Sequence, residues 1–261
     1  MSGSASPLIG PKRLLEERDH RPWALPRRQW LIGQTWETLL FAHWRLPLHA
    51  LRPLVPPELP IDTFEGSAWL GVTPFRVATH RVRATPHIPG LTSFPEVNVR
   101  TYTTIEDKPG IYFLSLDAAS RLAVASARRV YRLPYFRARM QKHQRQGAIE
   151  FRSERVSSDG PPADLDLHYQ PTGPPQAAAP GSIEAFLAER YCLYTLDERR
   201  RMHRADIHHP PWPLQSAEAD WRHNSMAAGL GLELPDGDAL LHFSARQDVL
   251  IWPPSVLDGS S

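Results

Sequence analysis

The clearest structural pattern in this chain lies at residues 94–103, which read Phe94-Pro95-Glu96-Val97-Asn98-Val99-Arg100-Thr101-Tyr102-Thr103. Successive side chains of a β-strand point to opposite faces, and β-branched and aromatic residues favour strands. The run therefore predicts a strand whose polar face carries Glu96, Asn98, Arg100 and Tyr102. The opposite face carries Val97, Val99 and Thr101.

Two interpretations of the polar face fit this alternation. In the first, the strand is half-buried and its polar face meets water, as is common in antiparallel sheets. In the second, the face lines the mouth of a barrel, where an arginine guanidinium holds a substrate carboxylate through two hydrogen bonds. A carboxyl group beside it would relay a proton, and Asn98 and Tyr102 would orient the ligand. The alternation alone favours the first interpretation.

The flanking segments also favour β-structure. A turn cluster at 106–110 separates the strand from a second β-rich run at 111–117, which predicts a hairpin. Other strands are predicted at 35–45, 67–77, 147–157, 164–170, 239–245 and 248–252. Pro74 interrupts one of them and indicates a bulge or an edge position.

Short helices complete the predicted fold. They are expected at 47–55, at 121–130 after an N-capping Ser120, and from Ser182 onward. Loops rich in proline are expected at 86–95 and 171–181. The pattern predicts an α+β fold, with a mainly antiparallel, barrel-like sheet and short peripheral helices. Residues 1–33 are predicted to be an N-terminal extension, partly disordered or with a short helix at 11–18, and residues 34–256 to form one domain.

Composition restricts the classes of function. The chain has 261 residues, with 30 Lys plus Arg, 28 Asp plus Glu and a formal charge of +2. So small an excess gives no electrostatic reason to expect a nucleic acid partner. No apolar run approaches the ~18 residues of a membrane span. The single cysteine, Cys192, excludes an internal disulfide and favours a cytoplasmic protein, and its apolar neighbours predict a buried, inert thiol.

Other candidate groups have structural explanations. His208 and His209 are adjacent in an extended segment, so their side chains point in opposite directions and cannot easily share one ion. No Cys or Glu follows at a zinc-binding spacing, and we predict neither a metal nor a cofactor. A solvated surface explains five arginines better than a phosphate or nucleic acid site does, namely Arg128, Arg129, Arg132, Arg137 and Arg139. Core packing is the simplest role for Trp44, Trp69, Trp212 and Trp252.

A set of motifs resembles a known family. The motifs lie at residues 40–45, 51–56, 68–72, 94–102, 113–118 and 133–135, with later matches at 189–194 and 207–214. Across residues 34–253 the chain resembles an uncharacterised bacterial domain-of-unknown-function family, whose members resemble the acetoacetate decarboxylase-like superfamily. The resemblance implies the fold of that superfamily.

The resemblance also implies a pocket. Arg45 matches a pocket arginine of the acetoacetate decarboxylases, and Glu96 resembles a pocket glutamate of the superfamily, which favours the pocket interpretation of the strand at 94–103. Those enzymes form a Schiff base on a lysine within a Gly-Phe-Pro-Lys-Lys motif. The comparable stretch here is Arg132-Leu133-Pro134-Tyr135-Phe136. A Schiff base needs an amine, so the fold is expected to carry over and the decarboxylation is not.

The sequence therefore predicts a pocket for a small carboxylate or carbonyl compound. Glu96 is the candidate catalytic residue, acting by non-covalent acid–base chemistry if the protein is an enzyme. The candidate ligand-binding residues are Arg45, Asn98, Arg100, Tyr102 and Tyr135. A lysine-dependent lyase would have to use Lys12, Lys108 or Lys142.

The alternative is a non-enzymatic interaction module that uses the arginine-rich segment or an aromatic surface. It predicts no closed pocket and a solvent-exposed Glu96. The sequence does not indicate an oligomeric state.

Overall fold

A computed structural model of the chain describes residues 10–85, 93–235 and 239–257. These residues form twelve strands and four short α-helices. The strands are β1 (Ile32–Leu46), β2 (Ala68–Val82), β3 (Phe94–Ile105), β4 (Lys108–Ala118), β5 (Tyr135–Arg145), β6 (Ala148–Arg155), β7 (Asp164–Pro171), β8 (Cys192–Leu196), β9 (Met202–His208), β10 (Gln215–Asn224), β11 (Leu240–Ile251) and β12 (Ser255–Val256). The helices are α1 (Pro11–Glu16), α2 (Leu48–Leu51), α3 (Arg121–Tyr131) and α4 (Ile183–Ala188).

The strands join in one sheet that closes on itself twice. Their order is β12-β9-β8-β4-β3-β2-β1-β11-β10-β7-β6-β5, and β9 also pairs with β11 while β4 pairs with β5. One ring therefore contains β1, β2, β3, β4, β8, β9 and β11. The second ring shares β1 to β4 and β11 and is completed by β10, β7, β6 and β5. Pairing is antiparallel except where β4 meets β5 and β8. The predicted fold class is confirmed.

Strand β3 belongs to both rings, so both of its faces are buried. Val97 and Val99 pack into the apolar core of the second ring, with Ile149, Phe151 and Leu167. Glu96, Asn98 and Arg100 point into the first ring and are only 5%, 5% and 6% exposed. The interpretation that placed this polar face in water is therefore wrong, because a strand shared by two closed rings has no solvent face.

Five strands differ from the sequence expectation, because β5, β8, β9, β10 and β12 were not predicted. β10 alternates Ala217, Ala219 and Trp221, which pack against the core, with polar residues that face outward. The two strands expected at 239–245 and 248–252 are one strand, β11.

Pro74 lies inside the sheet, since β2 pairs with both β1 and β3. The predicted edge position is wrong. The predicted bulge is confirmed, because the register of β1 against β2 shifts between Glu37 and Ala42, where Pro74 has no partner on β1.

The helices lie near their predicted positions. Ser120 Oγ accepts a hydrogen bond from the Ala123 amide and caps α3, as expected. The helix predicted at 47–55 is α2, followed by a 3-10 turn at Arg52–Leu54. Among the described residues, no helix is both long enough and apolar enough to cross a membrane.

The described part of the N-terminal extension packs on the sheet. Helix α1 lies within the predicted range of 11–18, and Leu14 and Trp30 are buried against Leu250 and Trp252. Arg21 donates a hydrogen bond of 2.6 Å to the Ile207 carbonyl at the end of β9. The expectation for residues 1–9 and most of the predicted loop at 86–95 lie outside the described residues. The domain bounds of 1–33 and 34–256 stay a prediction.

Candidate functional site

A cavity of about 370 Å³ lies inside the first ring. Every strand of that ring contributes lining residues, and α3 covers the cavity with Ala123, Ala127 and Val130. Most of the wall is aliphatic or aromatic, and a few polar side chains interrupt it. This size and composition are typical of sites for small molecules.

Arg100 places a cationic group in this cavity. Its side chain is buried, and its Nε and Nη2 atoms have no hydrogen-bond partner within the described residues. The guanidinium carbon lies 5.2 Å from the ring centre of Phe41 and 5.9 Å from that of Tyr102. Aromatic faces compensate only part of the cost of burying a charge, so an anionic partner is expected at the open guanidinium edge.

Arg190 lines the same cavity but is neutralised by the protein. Its Nη1 donates to Asp62 Oδ2 at 2.7 Å, and its Nε donates to the Phe186 carbonyl at 2.6 Å. Its guanidinium also stacks on Phe186 and Tyr102. Arg190 therefore supports the cavity wall, and Arg100 offers the open hydrogen-bond donors.

Four further polar atoms of the lining are buried and lack a partner among the described residues. They are Thr73 Oγ1, Asn98 Oδ1, Tyr131 Oη and Trp212 Nε1. Thr73 is paired with Asn98 in the register of β2 and β3. Arg100 lies two residues beyond Asn98 on β3, so the three side chains share one face of the sheet. Buried polar groups are normally hydrogen-bonded, so this concentration in one cavity indicates groups that meet a ligand or water.

Glu96 places a carboxyl group on the same strand. Its Oε2 accepts a hydrogen bond of 3.1 Å from the Tyr135 hydroxyl. Burial raises the pKa of Glu96 to about 8, the Tyr135 hydrogen bond partly opposes this shift, and the Asp117 carboxylate adds to it. Burial and the Glu96 carboxylate hold the pKa of Tyr135 well above its ordinary value. At neutral pH, Glu96 is therefore a protonated acid beside a neutral phenol.

Tyr102 lies behind the cavity wall. It is fully buried, and its hydroxyl shares a hydrogen bond of 2.6 Å with His43 Nε2. Burial and the neighbouring Arg100 charge hold the pKa of His43 well below its ordinary value, so the imidazole is neutral. Tyr102 contacts Arg100 and Arg190 from behind and is not one of the residues that line the cavity.

Arg45 is outside the cavity, so its expected place among the ligand-binding residues is wrong. Its side chain is 53% exposed, bonds Glu65 at 3.1 Å and lies over the Trp69 ring. By strand alternation, Arg45 shares a face of β1 with Phe41 and His43. Arg45 lies two residues beyond His43, near the end of β1, and its side chain therefore reaches the surface instead of the interior.

The two adjacent histidines point in opposite directions, as expected. His208 Nε2 lies 2.6 Å from the Leu14 carbonyl, whereas His209 lines the cavity and stacks on Tyr191 at 4.6 Å. In the described parts of the chain, no three His, Cys, Asp or Glu side chains are grouped to hold a metal. Cys192 is fully buried, and burial raises the pKa of its thiol to about 12, as expected of an inert cysteine.

The lysines do not reach the cavity. All three lie in described segments, and none is a lining residue. Tyr135, which stands where the decarboxylase motif has a lysine, does line the cavity, and Phe136 packs under the Arg155 guanidinium.

Several lining residues were not identified from the sequence. They are Thr73, Tyr131, Arg190, His209 and Trp212. The alternation of β2 could have indicated Thr73, because its side chain shares a face with Phe75. The other four come from helices, loops or strand ends whose position depends on ring closure.

Known proteins are similar to this chain in sequence or in fold. "Uncharacterized protein YqjF" of Bacillus subtilis (strain 168) is 44% identical over 230 residues, which is 88% of this chain and 94% of that protein. The enduracididine biosynthesis enzyme MppR, solved with pyruvate, has a TM-score of 0.63 at 12% identity, covering 90% of this chain and 93% of MppR. An acetoacetate decarboxylase-like enzyme from Sphingomonas wittichii RW1 has a TM-score of 0.60 at 12% identity, covering 88% of this chain and 94% of that enzyme.

The two solved structures show that this chain has the fold of an acetoacetate decarboxylase-like enzyme and of MppR. The model of the DUF2071 family, described as an uncharacterized conserved protein, matches residues 33–248. This match covers most of the chain and includes all the lining strands except the first residue of β1 and the last three residues of β11. The chain belongs to the DUF2071 family.

Proposed function

We propose that this protein binds a small carboxylate or carbonyl compound inside the first ring, with Arg100 holding the carboxylate. The observation that carries this proposal is the open edge of a buried guanidinium in an apolar cavity. Nε and Nη2 lie on one edge of the guanidinium plane, and their N–H groups point in parallel, as needed for two hydrogen bonds to a carboxylate. A bound carboxylate would neutralise Arg100 and satisfy both donors.

The neighbouring polar atoms support the same ligand class. Thr73 and Asn98 lie beside Arg100 on the β2–β3 wall, where Thr73 Oγ1 can donate to a second oxygen of the ligand and Asn98 Oδ1 can accept from a ligand hydroxyl or a water. The MppR structure, whose fold is similar, holds pyruvate, which combines a carboxylate with a carbonyl. That likeness is one of fold, and the residues of this chain carry the argument.

Glu96 and Tyr135 supply the acid–base part of the proposal. Because the pKa of Glu96 is raised to about 8, its neutral carboxyl can donate a proton to a ligand carbonyl oxygen near neutral pH. The resulting carboxylate can then accept a proton from the ligand, which regenerates the acid. The absence of a lining lysine opposes any Schiff-base route, so the proposed chemistry is non-covalent.

The test is a ligand screen by thermal shift on wild type, Arg100→Gln and Glu96→Gln. Carboxylates that raise the Tm of wild type are expected to have little effect on Arg100→Gln, because the two charge-assisted hydrogen bonds are lost. Arg129→Gln is the matched control, since Arg129 is exposed. Ligand stabilisation that survives both Arg100→Gln and Glu96→Gln would overturn the pocket assignment.

The interaction-module alternative has one supporting observation. The five arginines at 128–139 are exposed, as the solvated-surface hypothesis predicts. An aromatic contact surface is opposed by the burial of four tryptophans, each at most 8% exposed, namely Trp44, Trp69, Trp212 and Trp252. The burial of Glu96 around a cavity also opposes this alternative. A cytoplasmic location remains part of the preferred proposal.

A further inference from the structure

One wall of the cavity carries several of its polar groups, whereas others lie on α3 and on the segments after α4 and β9, namely those of Tyr131, Arg190, His209 and Trp212. Thr73, Asn98 and Arg100 all project from β2 and β3. On β8, β9 and β11 the lining side chains are Leu193, Ile207 and Ile251, all aliphatic. A ligand that binds Arg100 and fills this space therefore combines a polar head with an apolar body that lies against these aliphatic side chains.

The apolar part of the wall includes an aromatic corner. Trp36 and Trp212 stack with ring centres 6.1 Å apart and an interplanar angle of 19°. Phe41 meets Trp212 edge-on at 4.8 Å, and Phe75 meets Trp36 edge-on at 5.5 Å. All four rings line the cavity, so they offer a rigid apolar surface instead of a set of hydrogen bonds.

The volume exceeds what a three-carbon acid needs. At about 30 Å³ for each non-hydrogen atom at liquid density, a cavity of about 370 Å³ accommodates on the order of 12 such atoms. Pyruvate would fill roughly half of it. The rest of the apolar wall would then face water or empty space, which forfeits the burial that gives such ligands most of their affinity.

The spacing of the polar groups indicates an extended ligand. Glu96 and Arg100 are four residues apart on β3, so their Cα atoms are separated by ~13 Å in an extended strand. A three-carbon acid held at Arg100 spans only a small part of this distance. A longer molecule reaches the Glu96 end while its carboxylate stays at Arg100.

We infer that the ligand is an amphipathic monocarboxylate with an aliphatic or aromatic body of about ten carbon atoms, anchored by its carboxylate at Arg100. This inference rests on the proposed function and names its substrate class. The body lies against the aliphatic side chains of β8, β9 and β11 and against the aromatic corner. Its far end lies toward Glu96 and Tyr135.

The test is a binding series measured by calorimetry with propionate, hexanoate, decanoate, tetradecanoate and 3-phenylpropionate, with decanol as the uncharged control. Affinity is expected to rise about fourfold for each added methylene until the cavity is full, and to stop rising beyond decanoate. 3-Phenylpropionate is expected to bind more tightly than hexanoate if the aromatic corner holds the body. Decanol is expected to bind much more weakly than decanoate.

A filled-cavity variant tests the location. Ala127→Trp places a large side chain in the lining of α3, so the preferred acid is expected to become shorter, with hexanoate gaining on decanoate. Ala125→Trp is the matched control, because Ala125 is exposed on the same helix and does not line the cavity. An unchanged length preference in Ala127→Trp would overturn the inference.

The binding series distinguishes failure of the ligand-size inference from failure of the proposed carboxylate site. If propionate and pyruvate bind through Arg100 as tightly as decanoate does, the size class is wrong and the carboxylate site stands. If no acid binds, or if decanoate binds equally well to Arg100→Gln, the proposed function is wrong as well. Tight decanoate binding that Arg100→Gln abolishes and Ala127→Trp shortens supports both.

Discussion

Two buried arginines of this protein, Arg155 and Arg100, differ in whether the Nε–Nη2 edge of the guanidinium is hydrogen-bonded to the protein. Arg155 donates from Nε and Nη2 to the two oxygens of Asp117, at 2.7 and 2.6 Å, and both side chains are almost fully buried. Arg100 is buried to a similar degree, but its Nε and Nη2 have no partner in the described chain. The first pair holds elements of the second ring together. The second arginine faces a cavity, so its missing partner is best supplied by a ligand.

The nearby carboxyl groups repeat this contrast. Burial raises the pKa of Asp117, and the neighbouring Arg155 charge limits this rise. Among the described residues, the Tyr135 hydroxyl is the one hydrogen-bond donor to the Glu96 side chain, so burial dominates and the pKa of Glu96 rises to about 8. The charges of Asp117 and Arg155 therefore compensate each other. In the cavity, by contrast, the Glu96 carboxyl group and the Arg100 guanidinium can each bind another molecule.

The largest expected effect comes from breaking the complete pair. Arg155→Met leaves the Asp117 carboxylate buried without a cation, which is expected to lower the free energy of unfolding by about 3–5 kcal/mol. Urea denaturation measures the change. Arg155→Met combined with Asp117→Asn is expected to recover part of the loss, because no uncompensated charge remains. A loss below about 1 kcal/mol in the single variant would contradict the importance of this pair.

Glu96→Gln is expected to remove a pH dependence. The native protein holds a proton on Glu96 between its ordinary pKa of 4.5 and its raised pKa of about 8, whereas the unfolded chain has lost it. The free energy of unfolding of wild type should therefore fall as pH rises through this window, by on the order of 3 kcal/mol relative to Glu96→Gln. Urea denaturation from pH 5 to pH 9 measures the difference. Parallel curves for the two proteins would show that Glu96 titrates normally.

Arg100→Met is expected to act in the opposite direction to Arg155→Met. Removing a buried charge that has no hydrogen-bonded partner at Nε and Nη2 in the described part of the chain should leave stability unchanged or raise it by about 1–2 kcal/mol, while ligand binding is lost. Urea denaturation without added ligand gives the stability, and calorimetry gives the binding. A destabilisation as large as that of Arg155→Met would mean that Arg100 is a structural residue and not an open site.

The smallest effect is expected at Arg45, outside both regions. Its exposed pair with Glu65 should contribute less than about 0.5 kcal/mol, so Arg45→Ala should change neither the urea midpoint nor ligand affinity appreciably. Thermal shift with a bound carboxylate checks both. A marked loss of ligand binding in Arg45→Ala would restore the sequence-based assignment of this residue to the pocket.

Local patterns predicted much of the fold and part of the site. The alternation at 94–103 placed Glu96, Asn98 and Arg100 on one face, and all three line the cavity. Turn residues and capping residues located the hairpin of β3 and β4 and the start of α3. The short strands β8 and β9 and the polar strand β10 carry weak periodic signals, so they were missed.

The sequence by itself determined which side chains of the strand at 94–103 share a face, because strand alternation is a local property of the backbone. It also determined that no lysine stands at the positions where the decarboxylase motif has one. Only the tertiary structure decided whether that face meets water or a cavity, since this depends on the pairings of β9 with β11 and of β4 with β5. The same closure leaves Arg45 at the surface, gives Arg190 its carboxylate, and leaves Arg100 without one among the residues that the structure describes.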